Sequence, residues 1–176
     1  MGAGMDRDAH WPALALEAWQ PTRATLHMWN QIVGKVRLAV SPYLNHWRQV
    51  PLYVSARGLT TSAMPYDGGV FEIEFDFIEH ALCIRKSDGA TKTLPLAPKS
   101  VAAFHAEVMA ALRFMGIAVR IWTMPVEIPN PIPFEKDETH AAYDPEYANR
   151  FWRALASADA VLKEFRGRFI GSARAR

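Results

Sequence analysis

The sequence predicts an α+β domain in which a mainly antiparallel sheet, a four-strand meander plus one further strand, packs against about three helices. Three observations predict it. Phe71, Ile73, Phe75 and Phe77 alternate with Glu72, Glu74 and Asp76, the period-2 pattern of a strand with one buried face. Turn signals at Glu79-His80 and Asp88-Gly89 follow at hairpin spacing. Stretches of helical periodicity with start and stop residues flank this region on both sides.

Taken in order, a first helix is predicted over about Pro21–Val40, with Pro21 at the first helical position, where its missing N–H costs nothing. Trp29, Ile32, Val33, Val36 and Val40 share one face and should meet the core; Arg23, His27, Asn30, Gln31 and Gly34 lie on the other. Ser41-Pro42 stops the helix. A loop carrying Asn45, His46 and Trp47 leads to a first strand from Leu52 to Arg57, extending past Gly58 to Thr61. Pro65, Asp67, Gly68 and Gly69 make a turn into the Phe71–Phe77 strand.

With Glu79-His80 as a two-residue turn, Phe75 would face Ile84, Phe77 would face Leu82, and Glu74 would face Arg85 on the outer side. Asp88-Gly89 then turns the chain into a strand from Thr91 to Leu96. Ser100 caps a helix over Val101–Met115 with Phe104, Val108, Ala111, Leu112 and Met115 inward, and Gly116 ends it. Ile117, Val119 and Ile121 alternate as the further strand. Prolines 125, 129, 131 and 133 forbid helix and favour an extended surface segment. Asp144-Pro145 opens a last helix whose inward face is Tyr147, Phe151, Leu155, Ala158, Leu162 and Phe165. The organisation is an N-terminal arm over residues 1–20, one domain over 21–171 and a basic tail over 172–176.

Composition narrows the class. At 176 residues with 50% hydrophobic and 22% charged side chains, the chain can bury a full core without staples. The net charge of +2 gives no global reason to expect nucleic acid or an anionic membrane as partner. The lone Cys83 excludes an intrachain disulfide and suits a reducing compartment. Residues 1–8 carry acids and no apolar run, unlike a signal peptide, and Asp6 replaces the Ser or Thr of a myristoylation signal. No apolar run approaches the ~20 residues that span a bilayer, so a cytoplasmic protein is expected.

The most unusual feature is an absence. No Asp or Glu stands between Glu17 and Asp67, where an even spread of the 18 acids would put about five. The same stretch holds Arg23, Lys35, Arg37, Arg48, Arg57, His27 and His46, and it is followed by Glu72, Glu74, Asp76 and Glu79. One reading is a positive surface that receives a carboxylate or phosphate, with Arg57 as a bidentate clamp. The other is that basic helix and strand pair with the acidic strand across the fold.

Candidate ligand residues follow from the first reading. His27, Gln31 and Lys35 recur every four residues and aim at one groove if they are not merely a solvated face. Asn45, His46 and Trp47 sit on a loop, where contacts concentrate, and Trp47 offers a wall. Glu72, Glu74 and Asp76 repeat every ~7 Å along one strand face, a spacing for paired carboxylates or for a charge ladder with Arg85 and Lys92. Metal ligation has no motif, since no two histidines stand at ligand spacing on one helix and Asp137 and His140 lack near partners. His105 reads as a structural histidine of the second long helix. Cys83 lies mid-strand, and no phosphate-loop, dinucleotide or nucleophile-elbow fingerprint appears, so no cofactor is expected. Arg166, Arg168, Arg174 and Arg176 form a short basic run without interleaved aromatics for stacking bases.

Several stretches resemble a bacterial family known as domain of unknown function 5996. They include Ala24-Thr25-Leu26-His27-Met28-Trp29, Gln31 to Leu38, Asn45-His46-Trp47, Val50 to Val54, Arg57 to Ser62 and Phe71 to Ile78. Met124-Pro125-Val126-Glu127-Ile128-Pro129 and Phe151-Trp152-Arg153-Ala154-Leu155 complete the resemblance, which runs from Trp11 to Gly171. It implies no activity, cofactor or catalytic residue. Members look longer, continuing past the equivalent of Phe165–Gly171, so it also implies an N-terminal portion of the family fold with apolar surface open to self-association.

The expectation is therefore a non-catalytic domain binding a small anionic ligand near the first helix, the His46 loop and the first strand. Arg57 and Lys35 supply charge, His27, Gln31 and Asn45 hydrogen bonds, and Trp47 a wall. An enzyme using His27 or His46 as acid–base, and a structural or subunit-interaction module, stand as alternatives.

Overall fold

The computed structural model describes residues 11–43, 45–47 and 49–168. The N-terminal residues 1–10, Arg48 and the tail residues 169–176 discussed above lie outside the described residues. The fold is α+β. Helix α1 (Leu16–Val40) precedes strands β1 (Tyr53–Val54), β2 (Gly58–Thr60), β3 (Met64–Tyr66), β4 (Gly69–Asp76), β5 (Ala81–Lys86) and β6 (Thr91–Pro95). Helices α2 (Val101–Phe114) and α3 (Pro145–Arg168) follow, with single 3-10 turns at Asn45–Trp47 and Phe134–Lys136. The sheet is antiparallel, ordered β1-β2-β4-β5-β6, and β3 pairs with the outer part of β4.

One face of β4 and β5 makes the core floor. Phe71, Ile73, Phe75, Leu82 and Ile84 are fully buried under α1 and α2. Trp29 of α1 stacks on Phe104 of α2 at 4.5 Å and on Tyr143 at 5.6 Å, and Phe75 reaches Phe104 at 6.3 Å. Ser100 caps α2 by accepting the Ala103 N–H, and Asp144 Oδ1 accepts from Glu146 and Tyr147 at the start of α3. These are the local signals that the sequence carries, and they act where expected.

Five expected details are corrected. Helix α1 begins at Leu16, so Pro21 lies inside it and the arm ends five residues earlier. The extra turn carries Trp19, buried against Phe151 at 5.2 Å, and that tertiary contact offsets the backbone bond Pro21 cannot make. The expected single strand from Leu52 to Thr61 is a hairpin: Ser55 N–H bonds Gly58 O, and Tyr53 and Val54 pair back onto Thr60 and Leu59. Gly58 is required there, because a Cβ would stand 1.8 Å from Phe75 O of the neighbouring strand.

In the β4–β5 hairpin the register is offset by two residues from the expected one. Phe75 faces Leu82, Ile73 faces Ile84 and Glu72 faces Arg85. The connection is the four residues Phe77–His80, because Asp76 Oδ1 accepts the N–H groups of Ile78 and Glu79 and so widens the turn. An offset of two leaves each side chain on its expected face.

Ile117, Val119 and Ile121 form no strand. Ile117 is buried and the other two pack against the core, but the segment makes no ladder, so its alternation reflects side-chain burial alone. Finally, the inward face of α3 stops near Leu155. Leu162 and Phe165 are 64% and 70% exposed, because the helix runs on past the body it packs against. Among the described residues, no helix is long and apolar enough to cross a membrane.

Candidate functional site

Helix α1 has two working faces. Trp29, Ile32, Val33 and Val36 lie in the core, and the opposite side lines a cavity of about 480 Å³. His27, Asn30, Gln31, Gly34 and Lys35 form that wall, at the i, i+3, i+4, i+7, i+8 spacing of one helical stripe. Val50, Leu52 and Leu59 close the sheet side, Leu155 of α3 the far side, and Val126 and Glu127 the rim. A second cavity of about 320 Å³, lined by Trp19, Arg23, Leu26 and Phe151, shares His27 and Asn30 with the first. Both volumes fall in or near the range that holds small molecules.

The rim belongs to the proline-rich strap that the sequence places on the surface. It is fastened by Gln31, whose Nε2 donates to Val126 O at 2.9 Å while Val126 N–H donates to Oε1 at 2.9 Å. That exchange fixes the orientation of the amide. The remaining Nε2 hydrogen points to His27 Nε2 at 3.1 Å, which must then accept. His27 is held as the neutral tautomer with its proton on Nδ1. Burial lowers its pKa first, Arg23 and His140 lower it further, and Glu127 pulls it partly back.

Lys35 stands over the Trp122 ring at 4.4 Å, with Phe134 at 6.0 Å. Desolvation lowers its pKa, and no carboxylate pairs with it among the described residues. The Asn30 side chain makes no hydrogen bond among the described residues, and its Oδ1 is buried without a partner. Asn30 was predicted only to face away from the core. Glu127 carried no signal in the sequence, since its place on the rim follows from the docking of its neighbour Val126 on Gln31, 95 positions away.

The other expected site residues lie elsewhere. Arg57 donates to Asp76 Oδ2 at 2.5 Å and reaches Glu79 at 3.5 Å, so it is committed to the acidic strand and lines neither cavity. Burial pushes the Asp76 carboxyl up, but Arg57 and the N–H groups of Glu79 and Ile78 outweigh it and hold the group below its ordinary value. Arg85 bridges Glu72 at 3.1 Å and Glu74 at 2.7 Å, which makes the carboxylate stripe a charge ladder. Arg37 is buried, donating to Pro51 O and lying over Tyr53.

Asn45, His46 and Trp47 are exposed and line neither cavity. His46 and Trp47 both adopt left-handed backbone, at φ 60° and 55°, and the Trp47 ring packs edge-on against Tyr43 at 5.5 Å. Asp137 is buried and accepts from His140 Nδ1 at 2.7 Å and from the Thr139 and His140 N–H groups. The loop's carbonyls at Asp137 and His140 accept from Ala102 and Val101, so the pair caps α2. Among the described residues, no group of three or more His, Cys, Asp or Glu could hold a metal ion.

The model of a family described as a family of unknown function (DUF5996) matches residues 11–175. No curated protein and no solved structure matches the chain.

Proposed function

The chain belongs to DUF5996, a family of unknown function, and from that premise we propose that it binds, without catalysis, a small organic anion in the cavity along α1. The observation that carries this reading is Lys35. It is a cation with no carboxylate partner among the described residues, lining a cavity whose other walls are mostly apolar. A partly desolvated ammonium favours a counter-ion from solution, and the apolar walls favour an organic body over a bare inorganic ion. His27, in its Nδ1-protonated form, adds a second donor on the same wall, two helical turns away. Arg57 takes no part, being paired with Asp76. The single cysteine supports a reducing compartment such as the cytoplasm as the setting.

Isothermal titration with 4-methylpentanoate, 3-phenylpropanoate and inorganic phosphate tests this. The organic carboxylates should bind better than phosphate, and Lys35→Met should weaken them about tenfold to hundredfold, as for a lost charge-assisted hydrogen bond. No binding by any of the three, or equal binding by wild type and Lys35→Met, would overturn the proposal.

A further inference from the structure

One seam runs the length of α3. Phe151, Leu155, Ala158, Leu162 and Phe165 follow one another at alternating steps of four and three, the spacing with which one helix meets another. Early in the helix the seam is occupied by the body of the domain. Phe151 packs on Trp19 at 5.2 Å, and Leu155 closes the far side of the main cavity. From residue 160 to 168 every residue is exposed, and Val161, Leu162 and Phe165 are 57%, 64% and 70% open. This overhang is about 14 Å long. Whatever covers it needs a matching apolar seam and matching charges at its edges.

The flanks of the seam are self-complementary. Asp159 and Arg166 stand on one edge, at the positions that face a neighbouring helix beside each apolar layer. Asp159 holds Lys163 through Oδ2 at 2.6 Å, which leaves Oδ1, and Arg166 makes no ion pair among the described residues. Val161 and Arg168 stand on the other edge, with the Arg168 head group paired to Glu164. An acid and a base on one edge of one helix match the same edge of an antiparallel copy. With Leu162 packed on the partner's Phe165, Asp159 meets the partner's Arg166, and two-fold symmetry repeats both contacts. The stem of Arg168 then covers the partner's Val161.

A parallel pair would set Arg166 against the partner's Val161 and make neither ion pair. It would also have no room. The body lies on the seam side of each helix, so two bodies at the same end would claim the same space. The antiparallel pair puts the bodies at opposite ends. The overlap it requires, residues 159–168 of each copy, coincides with the overhang.

We propose that a second copy of this chain covers the seam, as a two-fold antiparallel pair of α3 overhangs. One helix stripe buries far less than the ~800 Å² per partner of a standard interface, so the dimer is weak, with a Kd on the order of 100 µM. At low micromolar concentration the single chain prevails, and substitutions on the seam alter association rather than the stability of that chain.

Sedimentation velocity of the full chain from about 10 µM to about 1 mM tests the pair, and it should show a reversible monomer–dimer equilibrium. Leu162→Glu, which places a charge in the apolar layer, should remain monomeric throughout. Asp159→Arg and Arg166→Asp each turn both cross-helix ion pairs into repulsions, so each alone should dimerise about tenfold more weakly. Mixed in equal amounts, the two variants restore opposite charges at both contacts, and the mixture should associate more strongly than either variant at the same total concentration. All three positions lie outside the packed body, and each variant is checked for an unchanged near-ultraviolet circular dichroism spectrum. A wild-type chain that stays monomeric at about 1 mM would overturn the proposal, and binding of that monomer to phosphatidylserine vesicles would give the seam to a lipid surface instead. A dimer that survives Leu162→Glu would place the contact on another surface. Failure of the mixture to restore association would overturn the antiparallel register.

Discussion

Gln31 and Val126 stand 95 positions apart and exchange two hydrogen bonds, each 2.9 Å, through the side-chain amide of one and the backbone of the other. A glutamine on a helix thus pairs with an extended strap much as one strand residue pairs with another. This contact turns the outer stripe of α1 from a solvated surface into a cavity wall.

Replacing Gln31 should loosen the strap. Gln31→Leu removes both bonds and is expected to cost about 1–3 kcal/mol. Hydrogen exchange at the Val126 amide should accelerate far more than exchange at Phe75 in the sheet. Uniform acceleration at both amides would mean that the strap opens only with the whole domain.

His27 should make stability depend on pH. Its folded pKa lies below the ordinary 6.5, under burial, Arg23 and His140, with Glu127 opposing and Gln31 donating to Nε2. The unfolded chain therefore binds more protons across that window. Stability should fall as pH drops from about 7 through the folded value, then level off below it. His105 is lowered by burial too, so the test is the difference: His27→Gln should flatten part of the slope. An unchanged slope would place the Gln31 N–H elsewhere.

Arg57 should matter for acid stability and not for ligand. Asp76 is depressed below its ordinary value with Arg57 beside it, so its contribution is present above the unfolded value and lost as pH falls through the folded one. In Arg57→Ala the Asp76 titration, followed by carboxyl NMR, should move up, and acid unfolding should begin at a higher pH. Affinity for 4-methylpentanoate should not change. A loss of that affinity would return Arg57 to the binding site.

Two apolar helix positions should respond oppositely. Phe104 is fully buried against Trp29 and Phe75, and Phe104→Ala should cost about 3–5 kcal/mol by denaturant titration. Leu162 is 64% exposed on α3, and Leu162→Ala should stay within ~0.5 kcal/mol. A large cost at Leu162 would show that this end of the helix is covered in solution.

By itself the sequence determined whatever depends on near neighbours. The Ser100 and Asp144 caps, the Asp88-Gly89 turn and the buried alternation of Phe71 to Phe77 are each written within a few residues, and each is realised. So is the division of α1 into a core face and an outer face bearing Arg23, His27, Asn30 and Gln31. Tertiary structure decided the rest. Pro21 sits mid-helix because Trp19 gains Phe151, a contact no local signal announces. The β4–β5 register moved by two because Asp76 widened the turn, and period-2 patterning is blind to a shift of two. The basic stretch divided by partner: Arg57 and Arg37 were claimed by the sheet and the Pro51 loop, while Lys35 faced a cavity. Composition supplies charges, but only the packed chain decides which of them already have a counterpart, and a ligand can be received only by those that do not.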